Sequence, residues 1–402
     1  MTIKKTFYLF LGNILGICLL LNSCTTSYCN GYPCERNEQS SFAQQPEASS
    51  SRAEGQKPRI VVVLHHGLGM DNSQLDVIEE ALKKNYGDQV IIVKPTYREK
   101  YFKSILFPIS HAWLPESFAD WRGKGFPTQS YGVYQEVTNV LKAQVDKHPF
   151  CTFMIGVSQG RVESCDLAND YGDALNIKGV ITINAPLQGV HGLQNKVEDV
   201  SMFLSNGAAG LKAVGFSDAG IKPMKSNTYQ ELFLSKFIPG IASMHPDSAC
   251  IRKVNRFIDR DTTPCLVIGS YTPDIFNTIS PGVYHPVSSK DNPDVKILEK
   301  GLAKFITGKE DGYHDGLIAT GSQLYMDDAQ IPSLIEHTIQ QDIKNKNLYR
   351  LLLKRPTHAE IIASIMSRPA IPIDTTKTPL IERDKHISQY IIQFMDQVIN
   401  TF

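Results

Sequence analysis

Phe150-Cys151-Thr152-Phe153-Met154-Ile155-Gly156-Val157-Ser158-Gln159-Gly160 is the stretch whose reading decides the fold. The apolar run from Phe150 to Val157 reads as a buried strand, and Gln159 toward Asn169 reads as a helix. Between them, Gly156 and Gly160 flank Ser158 in a Gly-x-Ser-x-Gly pattern. A turn from strand directly into helix is so tight that side chains at the flanking positions would collide, and glycine removes the conflict. The serine is left at the edge of a sheet, at a helix N-terminus whose backbone N–H groups steady negative charge. A pattern this short recurs by chance, so the rest of the chain must supply its partners.

Working outward, Ile60 to Leu64 is a continuous β-branched run that ends in His65-His66-Gly67-Leu68-Gly69, and Gln74 to Lys84 follows with helical periodicity. Val90–Val93, Val180–Ile183 and Cys265–Ile268 repeat the strand signal. Apolar strands alternating with amphipathic helices predict an α/β fold, a mostly parallel central sheet flanked by helices on both faces. Two segments interrupt the alternation, at 101–126 and 193–250. The first carries both tryptophans, Trp113 and Trp121, and the second holds the clusters Met202-Phe203-Leu204 and Leu232-Phe233-Leu234. Insertions at these points would sit above the strand ends, where ligands bind in open α/β sheets. They read as lid-like insertions or an acyl-chain pocket, or else as structural layers that complete the core.

Forty-two per cent of the 402 residues are hydrophobic and 20% are charged, the composition of a globular chain. With 41 basic and 41 acidic residues the formal net charge is zero, and there is no concentrated basic stripe, which argues against a nucleic-acid partner. Residues 1–23 read as an export signal: Lys4 and Lys5 precede an apolar stretch from Phe7 to Leu21 that is short for a membrane span. It ends in Leu21-Asn22-Ser23-Cys24, which resembles the lipobox of bacterial lipoproteins. The resemblance implies acylation of Cys24 and a chain anchored by lipid in the bacterial cell envelope, in the outer membrane or facing the periplasm, or at the cell surface. The alternative is an ordinary secretory signal in which Cys24 is fortuitous, and either way the chain is expected to be exported. Residues 24–57 read as the lipidated N-terminus and a linker, of which 35–57, rich in Ser, Glu and Gln, form a flexible tether, and 58–402 read as the folded domain. Cys29, Cys34, Cys151, Cys165, Cys250 and Cys265 remain for possible bridges, with Cys29–Cys34 favoured and Cys250–Cys265 a weaker candidate. Metal-ligand spacing of the Cys-x-x-Cys kind is absent, which argues against a zinc site. Asp311 and Asp315 could be read as a calcium site, but their spacing is not that of an EF-hand loop, and no metal or cofactor is expected.

Acyl transfer by a serine needs a base, a carboxylate to orient it, and donors for the oxyanion. One donor is expected to be the backbone N–H of Gln159, directly after Ser158; the other should come from the loop after an early strand. His66-Gly67-Leu68-Gly69 lies there, and its glycines allow the bend that aims the Leu68 N–H inward. His65 and His66 precede the serine and read as structural. In the chain order serine, acid, histidine, the base is sought beyond Ser158. His358 follows the apolar run Leu351-Leu352-Leu353 and is the first choice. His386 opens a C-terminal helix and is a second candidate, with His191, His245, His285, His314 and His337 behind it. For the acid, Asp315 in His314-Asp315-Gly316-Leu317-Ile318 comes first, because an Asp-Gly turn sets a carboxylate on a fixed loop. Asp274 and then Asp311 are its rivals.

Three segments are similar to palmitoyl-protein thioesterases: Val63 through Asp71, Gly156-Val157-Ser158-Gln159-Gly160, and Gln188-Gly189-Val190-His191-Gly192-Leu193. The middle segment also resembles that of lipases, as does Asp315-Gly316-Leu317-Ile318. The resemblance runs from about Arg59 to Leu193 and is faint beyond Val197. It implies an α/β-hydrolase fold, Ser158 as nucleophile, Leu68 and Gln159 as oxyanion donors, and a substrate bearing a long acyl chain. The family usually has a further glycine where this chain has Arg161, a cation that could crowd the cleft or meet an anionic head group. Gln188 and His191 would lie near the pocket. The expected protein is therefore an exported, lipid-anchored serine hydrolase whose partners are an acylated substrate (lipid, acyl-thioester or acyl-protein) and a membrane. The alternative is a hydrolase-like surface lipoprotein that binds lipid or a protein partner without turnover. Neither oligomeric state nor the choice between ester and thioester can be read from the chain.

Overall fold

A computed structural model describes residues 59–67, 72–96, 129–144, 149–194, 243–273, 293–354, 358 and 385–401. All of them fall within the unit Lys57–Phe402. The expected signal and tether with Cys24, the Cys29–Cys34 pair, Leu68, Asp274, the insertion at 101–126 and residues 195–242 of the second insertion lie outside the described residues.

Seven strands form one sheet: β1 (Arg59–His65), β2 (Val90–Val93), β3 (Phe150–Val157), β4 (Ile177–Ile183), β5 (Cys265–Tyr271), β6 (Gln340–Gln341) and β7 (Leu348–Lys354). Their order is β2-β1-β3-β4-β5-β7-β6. Every pairing is parallel except β6 with β7, so only one edge departs from the predicted pattern. The described helices are α1 (Asp76–Tyr86), α2 (Gln129–Gln144), α3 (Gln159–Tyr171), α4 (Ala249–Arg260), α5 (Pro293–Thr307), α6 (Thr320–Leu324) and α7 (Lys385–Ile399). Helix α4 starts cleanly because Ser248 is its N-cap, with the hydroxyl accepting the Ile251 N–H at 3.0 Å.

The uninterrupted apolar runs follow from burial on both faces. In β1, Ile60, Val62 and Leu64 join one core cluster with Leu75, Ile78 and Leu82, and with Ile387, Ile391 and Phe394 of α7. Val61 and Val63 point the other way, into a cluster with Val133 and Val137 of α2, Val162 of α3 and Val254 of α4. Side chains alternate sides along a strand, so a strand covered on both sides must be apolar at every position. The Cys250–Cys265 bridge considered from the sequence is not formed. Both residues are thiols buried in the second cluster, where a cysteine packs as a small hydrophobe.

The parallel register sets β1 beside β3 with Leu64 against Ile155 and His65 against Gly156. The loop that leaves β1 therefore emerges next to the turn that leaves β3. This strand order, with a serine in the turn between the central strand and its helix, is the α/β-hydrolase fold.

Candidate active site

Ser158 occupies the turn between β3 and α3 with φ 53° and ψ −122°. A non-glycine residue rarely adopts this backbone, and holding one there costs about 1–3 kcal/mol. The surroundings over-determine it. The Ser158 N–H donates to the Ile183 carbonyl at 2.9 Å, fastening the turn to the end of β4. Helix α3 lies so close to the end of β1 that a Cβ on Gly160 would fall 2.4 Å from the His66 carbonyl oxygen and 2.6 Å from that of His65. Those are backbone atoms with no freedom to yield, which is the physical reason for glycine at this flank.

His65 and His66 do structural work. His65 Nδ1 lies 2.7 Å from Ser164 Oγ, and that hydroxyl donates to the Gly160 carbonyl at 3.0 Å. A hydroxyl has one proton, so His65 Nδ1 carries the hydrogen and donates to Ser164. The imidazole thus pins α3, through Ser164 in its second turn, to the end of β1. His66 Nδ1 lies 2.9 Å from the carbonyl of Gly67.

A Cβ on Gly67 would sit 3.2 Å from Ser158 Cβ, so the loop after β1 borders the nucleophile turn. The Gly67 N–H is already used, donating to Gln74 Oε1 at 2.8 Å. That directs attention to the next amide, Leu68, which lies outside the described residues. Gln159 is fully buried at the first position of α3.

Asp315 and His358 meet. Asp315 is fully buried in a turn where its own N–H donates to the Ile318 carbonyl at 3.3 Å and Gly316 takes φ 101°. Its Oδ1 accepts the backbone N–H groups of Leu317 and Ile318 at 2.9 and 2.8 Å. Its Oδ2 accepts Asn184 Nδ2–H at 2.9 Å and is hydrogen-bonded to His358 Nδ1. The His358 backbone N–H donates to the Asp315 carbonyl at 3.2 Å, so main chain and side chain hold the pair in one orientation. With Nδ1–H given to the carboxylate, Nε2 is left as the basic nitrogen. The structure does not place a hydrogen bond between Ser158 Oγ and His358, a contact that commonly tightens only around substrate.

Of the rival candidates, His386 is exposed at the start of α7 and Asp311 is exposed, while Asp274 and His285 lie outside the described residues. Among the described residues no group of three or more His, Cys, Asp or Glu side chains is placed to hold a metal ion. Gln188 is exposed, and its N–H donates to Ser322 Oγ at 3.1 Å. His191 packs at the end of α5, where a Cβ on Gly308 would lie 2.9 Å from its Nε2.

His314, immediately before the acid, is buried. Burial pushes its imidazole down to about 4, against the upward pull of the Asp315 carboxylate. The Gly316 N–H donates to its Nδ1 at 3.1 Å, which fits a neutral ring. The ring borders a cavity of about 350 Å³ lined by Tyr271, Thr272, Lys296, Glu299, Tyr313 and His314 among others.

Sequence reasoning missed Asn184. It closes β4 with φ 45°, is fully buried, and its Nδ2 group donates to both Asp315 Oδ2 and, at 2.7 Å, Ser270 Oγ. The available signal was a polar residue ending an apolar strand just before Ala185-Pro186.

Comparison with protein families returns no match, and comparison with curated proteins returns none either. Solved structures do show likeness. A thermostable carboxyl esterase from Bacillus coagulans is 12% identical, with 86% of this chain and 91% of that one covered at a TM-score of 0.36. The mature lipase BlEst2 of Bacillus licheniformis is 12% identical over 76% of this chain and 86% of that one, also at 0.36. BpoC of Mycobacterium tuberculosis, described as a non-heme bromoperoxidase by assignment, is 10% identical over 86% of this chain and 94% of that one, at 0.34. The fold assignment rests on the strand order, the Ser158 turn and the loop placements of this chain itself.

Proposed function

We propose that this α/β-hydrolase-fold protein is a serine hydrolase that cleaves acyl esters or thioesters through an acyl-serine intermediate. The observation that carries the reading is the buried Asp315–His358 pair, joined through side chain and backbone. It occurs in a chain whose central strand ends in a strained serine turn. In this reading Ser158 Oγ attacks the carbonyl carbon while its proton passes to His358 Nε2. Asp315 keeps the Nδ1 hydrogen in place and stabilises the imidazolium. The oxyanion accepts the Gln159 and Leu68 N–H groups. His358 then protonates the departing alkoxide or thiolate, and water, activated by the same imidazole, releases the acid.

The acyl group is proposed to be long, as in palmitoyl thioesters or glyceride esters, and the protein to be held to a bacterial envelope membrane through acylated Cys24. Both rest on the sequence: the Gln188–Leu193 block for the first, the Leu21–Cys24 segment for the second. The test compares hydrolysis of palmitoyl thioesters, p-nitrophenyl esters and glycerides of several chain lengths by wild type and by Ser158→Ala, Asp315→Asn and His358→Ala. Large losses in all three variants, with the fold retained, are the expected result. Turnover that survives in Ser158→Ala would refute the reading. Binding of these lipids without serine-dependent turnover would move the protein to the non-catalytic alternative.

A further inference from the structure

The geometry points to Asn184 as the positioning residue that sets the acid of the proposed triad, an inference that rests on the serine-hydrolase reading. Asp315 Oδ2 receives two hydrogen bonds, from His358 Nδ1 and from Asn184 Nδ2 at 2.9 Å. The other carboxylate oxygen is taken up by the Leu317 and Ile318 amides. Asn184 is thus the one side chain, besides the base itself, that the described contacts place on the oxygen facing the base.

The residue is built into this task at a local cost. Its φ of 45° lies in the left-handed region, where asparagine is among the few tolerated side chains. Its Oδ1 is buried with no hydrogen-bond partner, while both described bonds run from Nδ2. A buried amide that leaves its oxygen unsatisfied and spends its hydrogens on Asp315 and Ser270 is placed for its donors. Its backbone is held as well: the Asn184 N–H donates to the Ile268 carbonyl at 2.8 Å, locking the end of β4 to β5. Ser270 in turn is fixed, its N–H donating to Gln323 Oε1 at 2.7 Å and its carbonyl accepting Thr320 Oγ1–H at 2.8 Å. The chain Gln323–Ser270–Asn184–Asp315–His358 therefore transmits the rigidity of the β5 and α6 packing to the base.

Two consequences follow for the proposed reaction. Asn184 orients the carboxylate plane so that Oδ2 meets Nδ1, and its N–H draws charge from the oxygen that stabilises the imidazolium. Without it the carboxylate can rotate, and Oδ2 becomes a stronger acceptor for the base. The second effect favours protonated His358, so the acidic limb of activity moves toward higher pH.

The test uses Asn184→Gly, which keeps the positive φ without a side chain, and Ser270→Ala, which frees the asparagine to turn. In Asn184→Gly, kcat is expected to fall about ten- to hundred-fold with KM within about two-fold. The acidic limb of kcat/KM should rise in pH, and Ser270→Ala should show a smaller change of the same sign. The thermal midpoint of each variant is read in parallel, because a purely structural role would lower it without moving the limb. An unmoved or lowered limb in both variants, in a wild type that shows Ser158-dependent turnover, overturns the role of Asn184 alone. A wild type without Ser158-dependent turnover overturns the serine-hydrolase reading and this proposal with it.

Discussion

Ser158 can be used to weigh the strain held at the centre of the proposed site. Replacing it by alanine or by glycine removes the same hydroxyl, so the difference between the two variants isolates the backbone. At φ 53° and ψ −122° alanine keeps the clash that serine suffers, while glycine has no Cβ to clash. Strain of this kind is worth about 1–3 kcal/mol. Glycine gives back about 0.5–1 kcal/mol through the greater freedom of its unfolded chain. The expected net is that Ser158→Gly is more stable than Ser158→Ala by about 1 kcal/mol, within limits of about 0–2.5 kcal/mol. Urea unfolding of both variants, followed by circular dichroism and fitted for midpoint and slope, reads the difference directly. Equal slopes with a higher midpoint for glycine are the predicted result. A glycine variant no more stable than alanine would show that the turn is relaxed and that Ser158 carries no backbone strain.

Gly160→Ala should disrupt the site from the opposite side, since its Cβ meets the His65 and His66 carbonyls at 2.6 and 2.4 Å. Overpacking against backbone should cost about 1–3 kcal/mol in a urea titration, and displacement of the turn should lower kcat/KM about a hundred-fold. His314 makes stability sensitive to acid: with the folded imidazole lowered from 6.5 to about 4, the unfolded chain alone takes up a proton between those values. Stability present above pH 6.5 should then fall by about 3 kcal/mol on acidification to pH 4. His314→Asn, which keeps an acceptor for the Gly316 N–H, should flatten that part of the stability–pH curve. Lys253 reaches Asp166 at 2.5 Å and Asp170 at 2.7 Å, and Asp166 is almost wholly buried. Burial pushes the Asp166 carboxyl up while Lys253 holds it down. Lys253→Met leaves that carboxylate without its cation and should destabilise the protein by about 3 kcal/mol in denaturant melts.

The strands were legible because both faces of the sheet are buried, which turns β1, β3 and β5 into largely apolar runs, broken by the buried Thr152 in β3 and Ser270 in β5. Their ends were less so. Strand β4 begins at Ile177 rather than Val180, since Lys178 and Gly179 interrupt the run. The two-residue strand β6, Gln340-Gln341, has no apolar signal at all because it is a short, solvent-facing edge. Asp315 and His358 were singled out by chain order and by the Asp-Gly turn, both local or sequential signals, and the structure brings the two side chains together. Asn184 escaped because its meaning is entirely tertiary: it is separated from Asp315 by 131 positions, and nothing local marks a strand-end asparagine as a partner of a distant carboxylate. The Cys250–Cys265 pairing failed for a related reason. Spacing says which thiols could meet, but Cys250 and Cys265 are used as core filling instead.

The central claim is that Ser158 is the activated nucleophile of the proposed reaction, and intact-mass measurement after phosphonylation by a fluorophosphonate, with fluoride as leaving group, tests it most directly. The account predicts a single stoichiometric adduct, mapped by peptide fragmentation to Ser158. The adduct should be absent in Ser158→Ala and formed much more slowly in His358→Ala. No adduct on the folded wild-type protein, or one located on another serine, would contradict it.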